Sequence, residues 1–569
     1  MKKFIFVFVA VLFSAVNTLA QQFDWAINSG SFVQDEGHDV ATDLTGNVFT
    51  TGTFRYTADF DPAEDSEFYI TNNEASNVFV QKLNADGDLI WAIGFGGDDF
   101  DNGQALCTDA EGNCYVAGNF LSVADFDPDT TSTYNLTSAG IDDAFVVKLN
   151  ANGEMLWAKQ IGGTGTDEAY DVVTDNTGSV YVTGRFQNTC DFDPGSGVFD
   201  LTATSSSDDL FVCKLDSEGQ FVWAKSAGSN GNDVGLSISV DPNGNVATTG
   251  YFWGVVDFDP GNGISNVTSV GAMDIYILKL DNDGNLVWAK QFGSTGYDIG
   301  YSVATDNDGN IYSTGRFEST TDFDPNSGVQ NYTSQGEQDI YINKLSASGD
   351  FIWTKTIGAS MVEWGQSIAL DSYGGLYVTG FFQNTVDFNP GSEVANLVSL
   401  GNDDIFICKF DDSGNYVWSL SMGGSAPFDG DRGQSIAVDS EGTIYTTGWF
   451  FGSVDFDPGI GSEVLTSTGN YDIFLQRIEQ PGIGITEHNA YSDFDLYPNP
   501  CDRIATIQCS ESHRLANVRV IDALGKTIFY QNYNYSEIIQ LDLRTLSGIY
   551  LVEVQMQDGT LVGKRLLVN

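Results

Sequence analysis

A chain of 569 residues is too long for one ordinary hydrophobic core, so its length predicts several domains or a repeat array. It has 78 acidic and 24 basic residues, and the net charge of −54 argues against nucleic acids and anionic membranes as partners, because both would repel it. The seven cysteines fit neither a disulfide framework nor a zinc site, although Cys107 with Cys114 and Cys501 with Cys509 lie close enough in sequence to bridge.

The first twenty residues have the composition of a signal peptide. Residues 2–3 are lysines, residues 4–13 are apolar, and a small-residue cleavage site ends at Ala20. The apolar run is too short to span a membrane comfortably, and no later stretch predicts a transmembrane segment. Cleavage near Ala20 would leave 22 basic and 78 acidic residues, a net charge of −56.

Internal repetition dominates residues 21–478. A tryptophan recurs every 65 or 66 residues, at Trp25, Trp91, Trp157, Trp223, Trp288, Trp353 and Trp418. The motif Asp-Phe-Asp-Pro recurs in the same phase and begins at Asp59, Asp125, Asp191, Asp257, Asp322, Asp387 and Asp455. In the sixth copy Asn389 replaces the second aspartate. Two markers in one phase indicate seven repeats.

Each repeat resolves into four short strands, which we name A to D in chain order. In residues 300–358 the predicted strands are Tyr301 to Thr305, Asn310 to Phe317, Asp339 to Leu345 and Asp350 to Ile357. The Asp-Phe-Asp-Pro motif lies in the long connection between strands B and C. Seven four-stranded units predict an all-β fold, a seven-bladed β-propeller.

The ends of the repeat region predict that the propeller closes. The chain starts with a lone strand D at Phe23 to Ile27, and the seventh repeat ends after strand C at Asp472 to Ile478. The first strand would complete the last blade and leave no open edge. Each A–B turn reads Asp-x-x-Gly, which suits a type I turn closing a hairpin. The recurring tryptophan falls on the outermost strand, where we expect it to pack between blades.

The repeat has a recognisable sequence pattern. Residues 435–439 read Ser-Ile-Ala-Val-Asp, and residues 442–448 read Gly-Thr-Ile-Tyr-Thr-Thr-Gly. These runs resemble the bacterial SBBP-type β-propeller repeat, and the resemblance covers roughly residues 23–478. It implies the propeller fold and no single activity, so function has to be argued from the site.

Residues 479–492 predict a linker, and the charge composition of the chain changes after it. Residues 481–569 hold ten acidic and seven basic residues, so nearly all the excess charge belongs to the propeller. Alternating stretches predict a small Ig-like β-sandwich over residues 493–569; they are Asn517 to Ile521, Lys526 to Tyr530, Ile549 to Val554 and Gly563 to Val568.

Three motifs in the tail occur in a fixed order. Residues 496–500 read Leu-Tyr-Pro-Asn-Pro, residues 546–552 read Leu-Ser-Gly-Ile-Tyr-Leu-Val, and Lys564-Arg565 lies near the end. They resemble the type A C-terminal sorting domain of the type IX secretion system of Bacteroidetes. The resemblance implies recognition by the type IX secretion machinery, transport across the outer membrane, removal of the tail, and release or attachment at the cell surface. An ordinary accessory sandwich is the alternative.

The two faces of a propeller carry different connections. The A–B and C–D turns share one face, which here consists of tight turns. The D–A and B–C connections share the other, which we call the loop face and where we expect function. A carboxylate precedes each strand A on this face, at Asp35, Asp101, Asp167, Asp233, Asp298, Glu363 and Asp431. Such a ring around the channel mouth favours a bound cation or raised pKa values. Recurrence in every blade favours the other interpretation, that each acid accepts amide bonds within its own loop.

A second set of acids surrounds the Asp-Phe-Asp-Pro motif. Its two aspartates point the same way in an extended chain, and a third acid recurs just before strand C, with Asn77 in its place in the first blade. Three oxygen ligands per blade would suit Ca²⁺, whereas an Asx-Pro turn would use the same aspartates to cap loop amides. The candidate calcium ligands are Asp59, Asp61, Asp125, Asp127, Asp143, Asp191, Asp193, Asp209, Asp257, Asp259, Asp274, Asp322, Asp324, Asp339, Asp387, Asp404, Asp455, Asp457 and Asp472.

Residues that do not recur are better candidates for specificity, because a shared blade framework does not require them. The candidate binding residues of the loop face are Arg185, Trp253, Arg316, Trp364, Arg432 and Trp449. Aromatic rings beside arginines suit the stacking of a sugar or the binding of a peptide, and simple loop packing is the alternative.

Catalysis has weak support in the sequence. The repeat region has one histidine, His38, and neither a nucleophile–base set nor a distinct carboxylate pair can be assembled, so no catalytic residue is assigned. Two function classes remain. The first is a secreted or cell-surface, non-catalytic binding or adhesion protein with a glycan or protein ligand. The second is a secreted carbohydrate-active enzyme, a glycoside hydrolase or lyase that uses the loop face.

Overall fold

The computed structural model describes residues 21–63, 66–129, 131–425, 430–459 and 461–480, together with seven strands of the tail. The predicted signal peptide, linker residues 481–492 and Cys501 lie outside the described residues. Residues 23–478 form one compact unit, and the strands of the tail belong to a second. Every regular element in the described residues is a β-strand, which confirms the all-β class.

The strands of the first unit pair into seven four-stranded blades. Strands A are Glu36–Thr42, Asn102–Thr108, Glu168–Thr174, Val234–Val240, Ile299–Thr305, Trp364–Leu370 and Arg432–Val438. Strands B are Val48–Asp59, Cys114–Asp125, Val180–Phe186, Val246–Phe252, Ile311–Phe317, Leu376–Phe382 and Ile444–Asp455. Strands C are Tyr69–Leu83, Asn135–Leu149, Asp209–Leu215, Asp274–Leu280, Asp339–Leu345, Asp404–Phe410 and Val464–Glu479. Strands D of the first six blades are Leu89–Gly97, Met155–Gly163, Phe221–Ala227, Leu286–Phe292, Phe351–Ile357 and Tyr416–Gly424.

The blades form a closed ring around a central channel. Strands A lie innermost, and each contacts strand A of the next blade, with the seventh contacting the first. The seventh blade takes its strand D from the N-terminal strand Gln22–Ser29, which pairs with Val464–Glu479. The β-propeller class is therefore confirmed, and the strand pairing closes the ring as the lone first strand predicted.

The B–C connection contains regular structure that the sequence did not reveal. In blades three to six it folds into a hairpin of two three-residue strands, which are Thr189–Asp191 with Asp200–Thr202, Val255–Asp257 with Asn266–Thr268, Thr320–Asp322 with Asn331–Thr333, and Thr385–Asp387 with Asn396–Val398. In blades one, two and seven, strands B and C run on through the same region. The segment also pairs with strand D of the preceding blade, as Gly96 does with Asp125.

Six of the recurring tryptophans each link one blade to the next through a hydrogen bond. The indole N–H of Trp288 donates to the carbonyl of Ala347, in the C–D turn of the following blade, at 3.1 Å. Gly349 of the same turn has a φ of +79°, and a Cβ there would lie 3.0 Å from the indole ring. The same bond to the next C–D turn is made by Trp25, Trp91, Trp157, Trp223 and Trp353. The predicted packing between blades is confirmed.

A second set of links runs around the channel. The side chain of the fourth residue of strand A accepts an N–H from strand A of the next blade. Asp39 accepts it from Leu106 at 2.7 Å, and Ser302 accepts it from Ile368 at 3.2 Å. The Ser435 hydroxyl donates to Asp39 at 2.6 Å and joins the last blade to the first. The same link to the next strand A is made by Asp171, Ser237 and Ser367.

The tail consists of two sheets in its described strands. The first contains Phe494–Tyr497, Ile504–Cys509 and Ile538–Asp542, and the second contains Thr527–Ser536, Leu515–Asp522, Gly548–Met556 and Leu561–Val568. The four alternating stretches predicted from the sequence fall in the second sheet, apart from Lys526, which lies outside the described residues. In the propeller, Cys107 and Cys114 are both free thiols, so they form no bridge.

We expect Trp288→Phe to lower the free energy of unfolding by about 1 kcal/mol, because it keeps an aromatic ring and removes one hydrogen bond between blades. Denaturant unfolding of the mature chain measures the change. Trp253→Phe is the control, since the Trp253 side chain is 50% exposed in a loop. An equal loss in both variants would contradict the fastening role.

Candidate functional site

The predicted binding residues of strand B lie at the loop-face end of the channel. In each blade the residue after the Thr-Gly position of strand B pairs with the first residue of strand A. The pairs are Glu36 with Thr53, Asn102 with Asn119, Glu168 with Arg185, Val234 with Tyr251, Ile299 with Arg316, Trp364 with Phe381, and Arg432 with Trp449. Because strands A surround the channel, these pairs encircle its mouth, and we call them the mouth residues.

Blades five to seven bring three of the predicted residues together. The guanidinium carbon of Arg316 lies 4.2 Å from the ring centre of Trp364, and that of Arg432 lies 5.7 Å from the same ring. Arg432 also lies 4.2 Å over Phe381. Tyr301 stacks on Trp364 at 5.5 Å with an interplanar angle of 28°. The result is a cluster of two guanidinium groups and three aromatic rings, an arrangement that favours cation–π attraction.

Two polar side chains fix the cluster from the start of strand C. The Oε1 of Gln338 accepts the Trp364 indole N–H at 2.7 Å and an N–H of Arg316 at 2.5 Å. Buried Asp403 accepts two N–H groups of Arg432 at 2.8 and 3.0 Å. The cluster is therefore held by directional bonds as well as by packing, so the cations are positioned rather than mobile.

Arg185 lies in a separate ion-pair group in blade three. It donates two N–H groups to Glu168 at 2.8 and 2.9 Å and a third to Asp208 at 2.9 Å. Burial raises the pKa of nearby Asp142 to about 6, with a contribution from the adjacent charge of Glu168. The charge of Arg185 is thus neutralised within the fold.

The remaining two predicted residues are not part of either group. The ring of Trp449 lies edge-on to His38 with the centroids 6.5 Å apart. His38 Nδ1 lies 2.8 Å from the carbonyl oxygen of Gly103, and its Nε2 lies 3.2 Å from Glu36. Trp253 lies half exposed in the B–C loop of blade four.

The seven acids before strand A are buried, and they bind loop amides. Asp233 accepts the N–H of Ser229, four residues earlier, at 2.6 Å, and the N–H of Trp253, twenty residues later, at 2.9 Å. Its own N–H donates to the carbonyl of Asp208 in the preceding blade. The i−4 bond recurs at Asp35, Asp101, Asp167, Asp298 and Glu363, whereas Asp431 accepts the N–H of Gly424, seven residues earlier. The i+20 bond recurs at Asp35, Asp101, Asp167, Asp298 and Asp431. These bonds bear out the loop interpretation.

Burial raises the pKa of six of these acids, including Asp35. It raises the pKa of Asp101, Asp167, Asp233 and Glu363 to about 7 and that of Asp298 to about 6. Hydrogen bonds from the loop amides lower each pKa by a smaller amount. The raised values predicted for the ring therefore arise mainly from desolvation, and repulsion between neighbouring carboxylates is secondary.

The first aspartate of the Asp-Phe-Asp-Pro motif joins the two arms of the B–C connection through hydrogen bonds. Asp257 Oδ1 accepts the N–H of Asp259 at 3.1 Å and of Ser265 at 2.7 Å, so it holds both arms of the B–C hairpin. Phe258 is fully buried and meets Phe252 edge-on with the ring centroids 5.4 Å apart. The same pair of bonds recurs in the other six blades.

The other candidate calcium ligands also accept loop amides. Asp259 accepts the N–H of Gly261 at 2.8 Å, and Asp274, the third acid of the blade, accepts that of Val270 at 2.7 Å. Within the described residues, His, Cys, Asp and Glu side chains form no group of three or more that could hold a metal ion. The calcium hypothesis stays a prediction without geometric support from these residues.

Two further sets of residues lie at the channel mouth and were not predicted as binding residues from the sequence. One is the third residue of strand A, which is His38, Gln104, Tyr170, Leu236, Tyr301, Gln366 or Gln434. The other is the residue before the third acid, which is Ser76, Asp142, Asp208, Met273, Gln338, Asp403 or Tyr471. Residues at both positions differ from blade to blade. Lack of recurrence, the criterion that selected Arg316, would therefore have identified them if it had been applied to every position of the repeat.

These observations define a β-propeller followed by a separate β-domain. A family model described as a secretion system C-terminal sorting domain matches residues 495–569, and one described as a beta-propeller repeat matches residues 156–185 and 287–316. The chain therefore carries SBBP β-propeller repeats and a type IX C-terminal sorting domain, as the resemblances implied. The sorting domain implies export to the cell surface or the medium. Among the described residues, no helix is long and apolar enough to cross a bilayer.

Similar proteins share parts of this chain. The uncharacterized WD repeat-containing protein L264 of Acanthamoeba polyphaga mimivirus is 23% identical over 499 residues, which cover 71% of this chain and 35% of that protein. Regulatory protein FlaEY of Caulobacter vibrioides is 25% identical over 169 residues, which cover 29% of this chain and 16% of that protein. The chain thus spans only a minor part of the length of both. The crystal structure of Sqt1 from Chaetomium thermophilum matches 81% of this chain and all of that chain at 12% identity, with a TM-score of 0.37.

We expect the mature chain to be more stable at pH 5 than at pH 8. A carboxyl group whose folded pKa lies above its ordinary value of 3.8 binds its proton more tightly in the folded state. Its contribution is complete below the unfolded pKa and is lost as the pH rises through about 7. Asp43, Asp109 and Asp175, whose pKa values are lowered by hydrogen bonds, titrate below this window and leave the slope unchanged.

Thermal unfolding across this pH range measures the effect, with high salt present to screen repulsion between surface carboxylates. Asp233→Asn, which imitates the protonated acid, should reduce the slope. A melting temperature that rises from pH 5 to pH 8 would contradict the prediction.

Proposed function

We propose that this chain is a non-catalytic binding or adhesion protein that the type IX machinery delivers to the cell surface or the medium. The ligand binds at the channel mouth on the loop face. The observation that carries the proposal is the cluster of Arg316, Trp364 and Arg432, which a shared blade framework does not require.

The opposite face offers little for recognition. Its A–B turns satisfy their own polar groups, as where Asp306 Oδ1 accepts the N–H groups of Asp308 and Asn310. By contrast, the loop face exposes large aromatic side chains, and such side chains are enriched where proteins bind their ligands. They are Phe32, Phe100, Trp253 and Tyr297.

The alternative is a carbohydrate-active enzyme that uses the same face. The buried acids that recur there accept hydrogen bonds from loop amides, so none of them stands out as a catalytic carboxylate. A binding function therefore fits the mouth residues better. A hydrolase and lyase screen of the mature chain on polysaccharides tests the alternative directly. Turnover that survives purification and is lost on substitution of a mouth residue would favour the enzyme.

We expect deletion of residues 493–569 to retain the protein in the periplasm of its native host, because the sorting domain is the part that the secretion machinery recognises. Immunoblots of periplasm, outer membrane and medium measure the distribution. Full-length Trp253→Ala is the matched control and should be exported normally. Normal secretion of the truncated chain would contradict the role of the tail.

We expect Trp253→Ala to weaken ligand binding about 30-fold, the effect of losing roughly 2 kcal/mol at an aromatic contact. A glycan array supplies the ligand, and titration of the mature chain measures the affinity. Tyr373→Ala is the control, because Tyr373 is also an exposed aromatic residue but lies in an A–B turn on the opposite face. Loss of binding in the Tyr373 variant alone would place the ligand on the other face.

A further inference from the structure

The repeat places two arginines at equivalent positions with opposite electrostatic surroundings. Arg185 and Arg316 each pair with the first residue of strand A in their own blades. In blade three that residue is Glu168, and it binds Arg185 through two hydrogen bonds. In blade five it is Ile299, which has no charge to offer. The two sites therefore differ in chemistry while sharing one backbone framework.

The second partner differs in the same way. Asp208, just before the third acid of blade three, accepts an N–H of Arg185. The corresponding residue of blade five is Gln338, a neutral amide. The Nε2 of Gln338 donates to Glu318 at 2.7 Å, and Glu318 also accepts the N–H of Tyr297, so that carboxylate is engaged by other donors.

Arg316 is left with a charge that its neighbours do not neutralise. Within the described residues its partners are the Gln338 amide, the Tyr301 hydroxyl and the ring of Trp364. Its Nε is buried and has no hydrogen-bond partner. A buried donor without an acceptor costs about 1–3 kcal/mol, and the cost is larger for a charged group. A fixed cation whose charge no neighbouring carboxylate offsets is suited to an incoming anion.

We propose that Arg316 binds the carboxylate of an acidic sugar in a polysaccharide or glycan at the channel mouth. Trp364 and Tyr301 contact the guanidinium of Arg316, and Phe381 packs against Trp364. Rings beside an arginine suit a pyranose that carries a carboxylate. Long-range attraction cannot draw a polyanion to a mature chain with a charge of −56, so recognition depends on this local contact. The inference rests on the proposed binding function and names its ligand class.

The test uses the mature full-length chain and immobilised oligosaccharides of galacturonic, glucuronic, mannuronic and guluronic acid. Each is paired with its carboxyl-reduced neutral form, and an oligoglutamate peptide forms a third arm. We expect at least one acidic sugar to bind tenfold or more tightly than its neutral partner. Arg316→Gln should remove that preference, whereas Arg316→Lys should retain part of it.

Two further variants separate the local charge from general effects. Gln338→Glu should pair with Arg316 as Asp208 pairs with Arg185, and it should remove the preference without removing the cation. Lys290→Gln is the control, because Lys290 is a cation of the outer strand Leu286–Phe292, away from the channel mouth, and its loss should leave the preference unchanged. Thermal unfolding of each variant confirms that it is folded before binding is measured.

Each outcome decides between the two proposals. Preference for the neutral sugars or for the peptide, with binding lost in Trp253→Ala, would overturn the acidic-sugar inference and leave the binding function standing. An acid preference that survives both Arg316→Gln and Gln338→Glu would overturn the assignment to Arg316. Absence of binding to every probe would count against both.

Discussion

The loop face of this propeller depends on one buried carboxylate per blade. Asp233 accepts amides from the D–A loop and from the start of the B–C loop, while its own N–H binds the preceding blade. One residue thus joins two long connections and two blades. Because a buried amide without a partner costs about 1–3 kcal/mol, such an acceptor stabilises the defined shape of these long loops. Because these carboxylate bonds hold the loops, the mouth residues can differ from blade to blade.

Blade six shows a departure from that constraint next to the cluster. Its ring acid is Glu363, which accepts the N–H of Ala359, while its Oε1 is buried without a partner. The neighbouring residue is Trp364, the ring on which Arg316 and Arg432 lie. Local rules are most often broken where a protein uses a site, so the coincidence of this departure with the cluster supports the choice of blades five to seven for binding.

Repetition made the fold predictable from the sequence. In blade five the predicted strand bounds differ from the observed ones by no more than two residues, because turn chemistry and alternation are local signals. The B–C hairpins were missed since strands of three residues, such as Thr320–Asp322, are too short to show a period. The bond from Asp233 to Trp253 was also missed, because it joins residues twenty apart that no pattern relates.

The candidate site was predictable only in part. Lack of recurrence singled out Arg316, Trp364 and Arg432, which the structure brings together, and it ranked Arg185 beside them. The difference lies in partners across the strands, Glu168 and Asp208 in one blade and Ile299 and Gln338 in another, and only the register reveals which residues meet. In a repeat protein the recurring residues hold the backbone. A substitution at a variable register position therefore changes the charge presented to a ligand and leaves the loop-holding bonds intact, which is how equivalent arginines come to be neutralised in one blade and available in another.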